Sequence, residues 1–250
     1  MNQKTNDRKI RLDQRLVELG LVPSRQRAQG MILSGNVLVN DEPSTKVGRQ
    51  IKESDSIRLK EEDHPYVSRG ALKLLGALEE FKIEVEGKTV LDIGSSTGGF
   101  TDLLLQKGAV RSFCVDVGKN QLDWKIRSDP RVEVKEGMNA RKLKKEDIGT
   151  EVDLIVVDVS FISLSKILPA LVPFFREKTQ MVTLIKPQFE VGREKIASGG
   201  IVRDEAARQA AVLQVRHAAE SLGLSLVGLI ESPLKGVQGN QEYLALWEFH

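Results

Sequence analysis

From residue 88 onward the sequence predicts an α/β domain built on a seven-stranded, mostly parallel sheet, with a small α+β domain ahead of it. Three observations carry this. Short apolar runs at 89–93, 112–117, 132–135, 154–159, 181–186, 225–230 and 243–249 have the length of buried strands. Helical patterns at 98–107, 122–127, 164–174 and 204–222 alternate with them, and such alternation produces parallel strands with helices on both faces. The last two runs are separated only by a loop, Leu234-Lys235-Gly236-Val237-Gln238-Gly239-Asn240, so they should close the sheet as an antiparallel hairpin.

The N-terminal elements follow from shorter signals. Leu12, Leu16 and Leu19 recur at helical spacing before Gly20, which predicts a helix over 11–19 with Arg11 and Arg15 one turn apart on one face. Ser24 is placed to cap a second helix over 25–33, bearing Arg25 and Arg27. Val37-Leu38-Val39 and Ile57-Arg58-Leu59 read as strands. A polar stretch, Glu61-Glu62-Asp63-His64-Pro65, then reads as a linker. The expected boundaries are a first domain over 8–62, a linker over 63–68 and the larger domain over 69–250. The larger domain opens on a helix that Ser68 could cap, with Leu72, Leu75, Leu78 and Phe81 as its apolar face and Lys73 beside it.

Composition narrows the function classes. No apolar run approaches the roughly 18 residues of a spanning helix, and the polar start lacks the apolar core of a secretory signal; a cytoplasmic protein is expected. Cys114 is the single cysteine, so an internal disulfide and a multi-cysteine metal site are excluded, and three scattered histidines give no metal centre. Net charge is +2 but unevenly placed: residues 1–30 carry seven basic and three acidic side chains, whereas residues 64–250 carry 25 of each. A compact basic segment ahead of a neutral body points to a polyanionic partner.

The stretch T-V-L-D-I-G-S-S-T-G-G-F-T over 89–101 organises the larger domain. A strand turning through glycines into a helix leaves backbone N–H groups free to face a ligand. Three chemistries use such a turn. Asp116 lies 22 residues after Gly94, as an acid gripping a dinucleotide ribose would, yet the spacing is not G-x-G-x-x-G. Gly94-Ser95-Ser96-Thr97-Gly98 satisfies the hydrolase pattern G-x-S-x-G, but His217 falls within a helical run and His250 is the final residue. The third chemistry is binding of a methyl donor. Asp158 and Lys186 end two apolar strands at the edge where open α/β sheets hold ligands, and Glu242 reaches that edge if the last strand is antiparallel.

Longer motifs separate these readings. R-L-D-Q-R-L-V-E-L-G followed by S-R-Q-R-A-Q-G-M-I-L-S-G-N-V-L-V-N resembles the α-L RNA-binding motif of a ribosomal small-subunit protein, pseudouridine synthases and tyrosyl-tRNA synthetase. D-I-G-S-S-T-G-G-F resembles the donor-binding turn of FtsJ-type RNA methyltransferases, and the strand order resembles the class I (Rossmann-like) methyltransferase fold. Lys73, Asp158, Lys186 and Glu242 match in order the K-D-K-E tetrad of ribose 2′-O-methyltransferases. V-S-R-G-A-L-K-L, V-V-D-V-S-F-I-S-L, L-I-K-P-Q-F-E-V-G-R-E and S-P-L-K-G-V-Q-G-N-Q-E-Y-L are similar to the TlyA (haemolysin A-like) family across nearly the whole chain.

The resemblance implies S-adenosyl-L-methionine as cofactor and methylation of a cytidine ribose 2′-OH in ribosomal RNA. It implies donor contacts from Asp92, Gly94, Ser95, Ser96, Thr97, Gly98, Gly99, Phe100, Asp116, Met138, Asn139 and Asp158. Catalysis would fall to Lys73, Asp158, Lys186 and Glu242, with Lys186 activating the hydroxyl, Asp158 orienting Lys186, and Glu242 positioning Lys73 or the ribose. RNA would be held by Arg8, Arg11, Arg15, Arg25, Arg27 and Lys235, and by Phe161, which either stacks on an extruded base or packs in the core. Free RNA and assembled ribosomal subunits are both open as partners, with no metal and no membrane. The family's older name raises a pore-forming protein as an alternative, and a degenerate enzyme that only binds RNA is another.

Overall fold

The computed structural model describes residues 9–60 and 64–249, and the chain divides into two compact units, 1–65 and 66–250. Arg8 and residues 61–63 of the expected linker lie outside the described residues.

The first unit runs β1 (Lys9–Arg11), α1 (Leu12–Glu18), α2 (Arg25–Leu33), β2 (Val37–Val39), β3 (Glu42–Pro43), β4 (Gln50–Lys52) and β5 (Ile57–Leu59). β1 pairs antiparallel with β4, and β2 pairs antiparallel with β3 and β5. β1, β3 and β4 are not visible in the sequence: K-I-R, E-P and Q-I-K hold at most one large apolar residue each, whereas β2 and β5, no longer than β1 and β4, read V-L-V and I-R-L. Leu12, Leu16, Ala28, Ile32, Val37, Val39 and Ile51 form the core. Ser24 caps α2 as expected, its hydroxyl accepting from Arg27 N at 3.2 Å. Arg11 is not part of the helix body: it ends β1 and stands at the α1 N-cap.

The second unit contains α3 (Gly70–Glu80), β6 (Thr89–Ile93), α4 (Gly99–Gln106), β7 (Arg111–Asp116), α5 (Trp124–Arg127), β8 (Val132–Glu136), α6 (Lys145–Ile148), β9 (Leu154–Val157), α7 (Leu168–Leu171), β10 (Gln180–Ile185), α8 (Pro187–Glu190), α9 (Glu205–Glu220), β11 (Leu224–Glu231) and β12 (Tyr243–Phe249). The seven strands lie in the order β11-β12-β10-β9-β6-β7-β8. β12 runs antiparallel to both β10 and β11, and the strands from β10 across to β8 are parallel neighbours. This is the class I methyltransferase sheet with its terminal antiparallel hairpin.

Two cores cover the sheet. α3 and α4 pack Ala71, Leu74, Ala77, Phe100, Leu103 and Leu104 against Val90, Val182, Leu184 and Leu244 on one face. The other core holds Phe113, Ile155, Met181, Trp247, Leu168, Phe174 and Val215. The expected apolar face of α3 is one residue out of register: Ala71, Leu74, Ala77 and Leu78 are buried, while Leu72 and Leu75 are only partly so. Small residues set this register, because they let α3 close onto α4. A Cβ at Gly99 would be driven into the Ser68 hydroxyl. Ser68 does not cap α3; Arg69 takes the N-cap position without a side-chain bond. The helix expected over 164–174 is broken into short 3-10 and α turns around Pro169 and Pro173, since a proline ring removes one helical hydrogen bond and crowds the preceding turn.

Candidate active site

The parallel strands deliver the motif residues to one edge. β6 enters the turn Gly94–Gly98, β7 ends at Asp116, β9 is followed by Asp158, and β10 by Lys186. Tyr243 pairs with Ile185 across the antiparallel ladder, so Glu242, which precedes β12, returns to the same edge.

The turn is shaped by contacts that only glycine allows. Gly94 has φ +84° and its missing Cβ would overlap the Asp158 carbonyl oxygen. Gly98, at φ +93°, is the α4 N-cap and abuts Leu122 and Ile126. Beside the turn lies a cavity of about 440 Å³, lined among others by Gly94, Ser96, Asp116, Met138, Asn139, Asp158 and Phe161. A smaller pocket of about 100 Å³ holds Ser68, Ser95, Thr97, Gly99 and Phe100, and shares Gly94, Ser96 and Asp158 with the larger one. Asp116 is fixed from both sides: Ser96 N donates to Oδ2 at 2.8 Å and Gly118 N to Oδ1 at 2.7 Å. Each oxygen keeps a second lone pair for a ligand hydroxyl.

The charged tetrad resolves into two ion pairs. Lys73 Nζ donates to Glu242 Oε2 at 2.6 Å, with both side chains largely buried. Lys186 Nζ faces Asp158 Oδ1 at 2.6 Å and donates to Ser160 Oγ at 2.9 Å. Asp158 Oδ1 is buried and accepts no directed hydrogen bond, so its contact with Lys186 is chiefly electrostatic. Two side chains support the pairs that sequence reading passes over. Ser160 orients Lys186, and Gln188 donates to Glu242 Oε1 at 3.3 Å. Both lie two residues from a motif charge and inside the quoted stretches V-V-D-V-S-F-I-S-L and L-I-K-P-Q-F-E-V-G-R-E, which is the signal that could have found them. Gly236 leaves room for Glu242, because a Cβ there would meet the carboxylate.

Asp92 and Gly98 line neither pocket. Asp92 is fully buried beneath the turn, where Thr101 Oγ1 donates to Oδ2 at 2.7 Å and Oδ1 has no partner. Burial pushes its carboxyl up to about 7, opposed by the Thr101 bond and reinforced by the charges of Asp158 and Asp116. A carboxyl raised in the folded state stabilises the fold below its unfolded value, near 4, and that contribution is lost as pH rises toward 7. Asp92→Asn should therefore flatten the dependence of melting temperature on pH between about 4 and 7. An unchanged slope in a pH series of thermal melts would assign the ionisation elsewhere.

Phe161 is 91% exposed and sits at φ +64°, with its ring 5.1 Å from that of Phe189. It stands on the cavity rim, which removes the core-packing alternative. A bulky residue held at positive φ is a strained position that its surroundings must enforce. Lys235 is exposed on the loop before Glu242. Cys114 is buried, and burial pushes its thiol up to about 12, so it is inert.

In the first unit, the expected RNA-binding arginines are tied into the fold. Buried Asp13 receives Arg11 at 3.0 Å and Arg25 at 2.8 Å, together with Gln29 at 3.1 Å. Arg11 and its neighbours hold the Asp13 carboxyl well below the usual range. Arg15 pairs with Glu18, and Arg27 donates to the His64 carbonyl oxygen at 3.0 Å. Arg11 and Arg25 still expose about half of their side chains.

The FtsJ-like methyltransferase family matches residues 66–249. A TlyA protein of Mycobacterium tuberculosis, named a 16S/23S rRNA (cytidine-2'-O)-methyltransferase, is 46% identical over 241 residues, covering 96% of this chain and 90% of its own. The chain belongs to the TlyA group of FtsJ-like methyltransferases. Residues 10–57 of this methyltransferase match the S4 domain. Hemolysin A of Brachyspira hyodysenteriae is also similar, at 43% identity over 94% of this chain and 98% of its own. A solved structure from Streptococcus thermophilus that carries a haemolysin name superposes with a TM-score of 0.76 at 43% identity, over 96% of this chain and 88% of that one. Among the described residues of the methyltransferase, no helix is long and apolar enough to cross a membrane.

Proposed function

We propose that this enzyme transfers a methyl group from S-adenosyl-L-methionine to the ribose 2′-OH of cytidine in ribosomal RNA, acting on ribosomal RNA or subunits in the cytoplasm. The observation that carries this reading is the pair of largely buried ion pairs, Lys186–Asp158 and Lys73–Glu242, at the strand edge where Gly94 and Asp158 line a cavity. The name of the M. tuberculosis relative supports the substrate.

The cavity suits the donor. Asp116, Met138 and Asn139 line this cavity, and in this reading Asp116 takes the ribose hydroxyls and Met138 and Asn139 the adenine. Asp158 lines both pockets and Asp116 the larger one, so carboxylates face the space a cationic donor would take. When bound, the donor supplies an electrophilic methyl group whose S–C bonding electrons remain on sulfur as the new O–C bond forms. Lys186, held by Ser160 and Asp158, stabilises the developing oxyanion as an ammonium, or takes the hydroxyl proton after first giving up one of its own to solvent. Lys73, anchored by Glu242 and Gln188, positions the ribose. Phe161 stacks on the extruded cytosine and Lys235 holds its phosphate.

In functional terms, an RNA-binding domain over 8–62 presents Arg11, Arg15, Arg25 and Arg27, with Arg8 outside the described residues, and is joined through 63–68 to a catalytic domain over 69–250. The test is incubation of labelled donor with ribosomal subunits from cells lacking this protein. Label should appear as 2′-O-methylcytidine, and binding without incorporation would sink the enzyme assignment.

A further inference from the structure

We propose that the loops following β7 and β8 form an additional RNA-docking surface, on which Trp124 stacks against an unpaired base while Lys119, Arg141 and Lys142 hold phosphates. Charge is the first reason. Residues 64–250 are balanced, at 25 basic and 25 acidic, yet residues 117–145 carry nine basic against four acidic. The rest of the unit is net acidic, at 16 basic against 21 acidic, so positive charge gathers in the stretch where β7 and β8 deliver the chain to the ligand-binding edge.

The two loops are one continuous surface. Gly137 N donates to the Gly118 carbonyl oxygen and Asn120 N to Glu136 Oε2, both at 2.9 Å. Lys119 lies across Gly137, whose missing Cβ would stand 2.8 Å from the Lys119 Cε. The cations are also available. Lys125, Arg127 and Lys145 are held by Asp102, Glu136 and Glu151. Lys119, Arg141 and Lys142 are exposed, with no ion pair among the described residues.

Trp124 supplies the apolar part. It is 76% exposed at the start of α5, in the connection that leaves β7 through Val117, which is 72% exposed and lines the donor cavity. α5 is anchored behind it by buried Ile126 against Leu122 and Cys114, and Asp123 caps the turn. The indole is thus held outward by a fixed support. The other tryptophan, Trp247, shows the contrast: it is fully buried, with Nε1 donating to Thr183 Oγ1 at 2.9 Å. A rigid exposed aromatic beside uncompensated cations matches single-stranded RNA, which offers a base face and phosphates together. β7 and β9 flank β6, so Trp124 and Phe161 follow strands on opposite sides of the glycine turn. RNA would then be gripped on both sides of the donor.

This surface presupposes the RNA substrate proposed above, and the test separates the two. Because Trp247 is buried, acrylamide quenching of the full-length protein reports Trp124. Saturating ribosomal RNA transcript should lower the quenching constant at least about threefold, and Trp124→Ala should raise the KM for RNA roughly tenfold while kcat and donor affinity stay unchanged. Trp124→Phe should retain most of the affinity. The triple variant K119E/R141E/K142E should raise KM similarly and weaken the salt dependence of binding. RNA binding by anisotropy with unaltered Trp124 quenching, and with KM values within about twofold of wild type, would overturn the surface. Protection by an acidic ribosomal protein but not by RNA overturns it as well. A wild-type protein that neither binds nor methylates RNA overturns the proposed function instead.

Discussion

Lys186→Ala should abolish methyl transfer while sparing donor binding. The ammonium sits between Asp158 and Ser160 and lines neither pocket, so its loss leaves the donor cradle intact. Removing a positioned proton acceptor costs about 10²- to 10⁴-fold in rate, and single-turnover incorporation of label should fall by that amount. Asp158 Oδ1 is buried against Lys186, but the side chain as a whole is a quarter exposed and truncation to alanine opens space for water beside it, so the fold should persist. Lys186→Arg sharpens the test. A guanidinium keeps the charge but cannot accept the proton. An inactive arginine variant supports proton acceptance, a partly active one supports oxyanion stabilisation, and near-normal transfer by the alanine variant would remove Lys186 from the mechanism.

Gly94→Ala should damage both stability and donor binding. The residue lies at φ +84°, where a Cβ is strained, and the methyl would be driven into the Asp158 carbonyl oxygen. That oxygen belongs to the backbone just after β9, so it cannot rotate away as a flexible side chain could. Relief requires β6 and β9 to separate or the 158–160 segment to shift, which also moves Asp158 from Lys186. A cost of about 2–4 kcal/mol follows from strain and overpacking, a melting-temperature drop of roughly 5–10 °C for a unit of this size. Calorimetric titration should show the donor no longer binding. Normal binding and an unchanged melting temperature would mean that the turn is not closed against Asp158 in solution.

The two variants differ in how legible their sites are in the sequence. Gly94 stands in a motif whose spacing already announces a ligand turn, and Asp158 and Lys186 end apolar runs. Gln188 and Ser160 lie within motif stretches, but nothing local gives their roles, which come from the charge each meets across the fold, Glu242 and Lys186. The one-residue register shift of α3 was equally hidden: Leu72 and Leu75 look like the stronger apolar face, but close approach to α4 favours Ala71 and Ala77. In the first unit, the arginine pattern reads as free positive charge, whereas buried Asp13 holds Arg11 and Arg25 from inside.

The four charged residues came from the resemblance to a family; by itself the sequence of the larger unit determined the succession of its main strands and helices, the antiparallel close and the glycine turn. These are local or periodic properties, set by burial patterns and glycine geometry within a few residues. Only the tertiary structure decided how the tetrad divides: Lys73 with Glu242 and Lys186 with Asp158, partners separated by as many as 169 positions. It also decided that Asp92 lies beneath the site rather than in it, and that Phe161 stands exposed on the rim. Pairing, burial and exposure of a side chain depend on what the sheet brings beside it. No run of neighbouring residues encodes that.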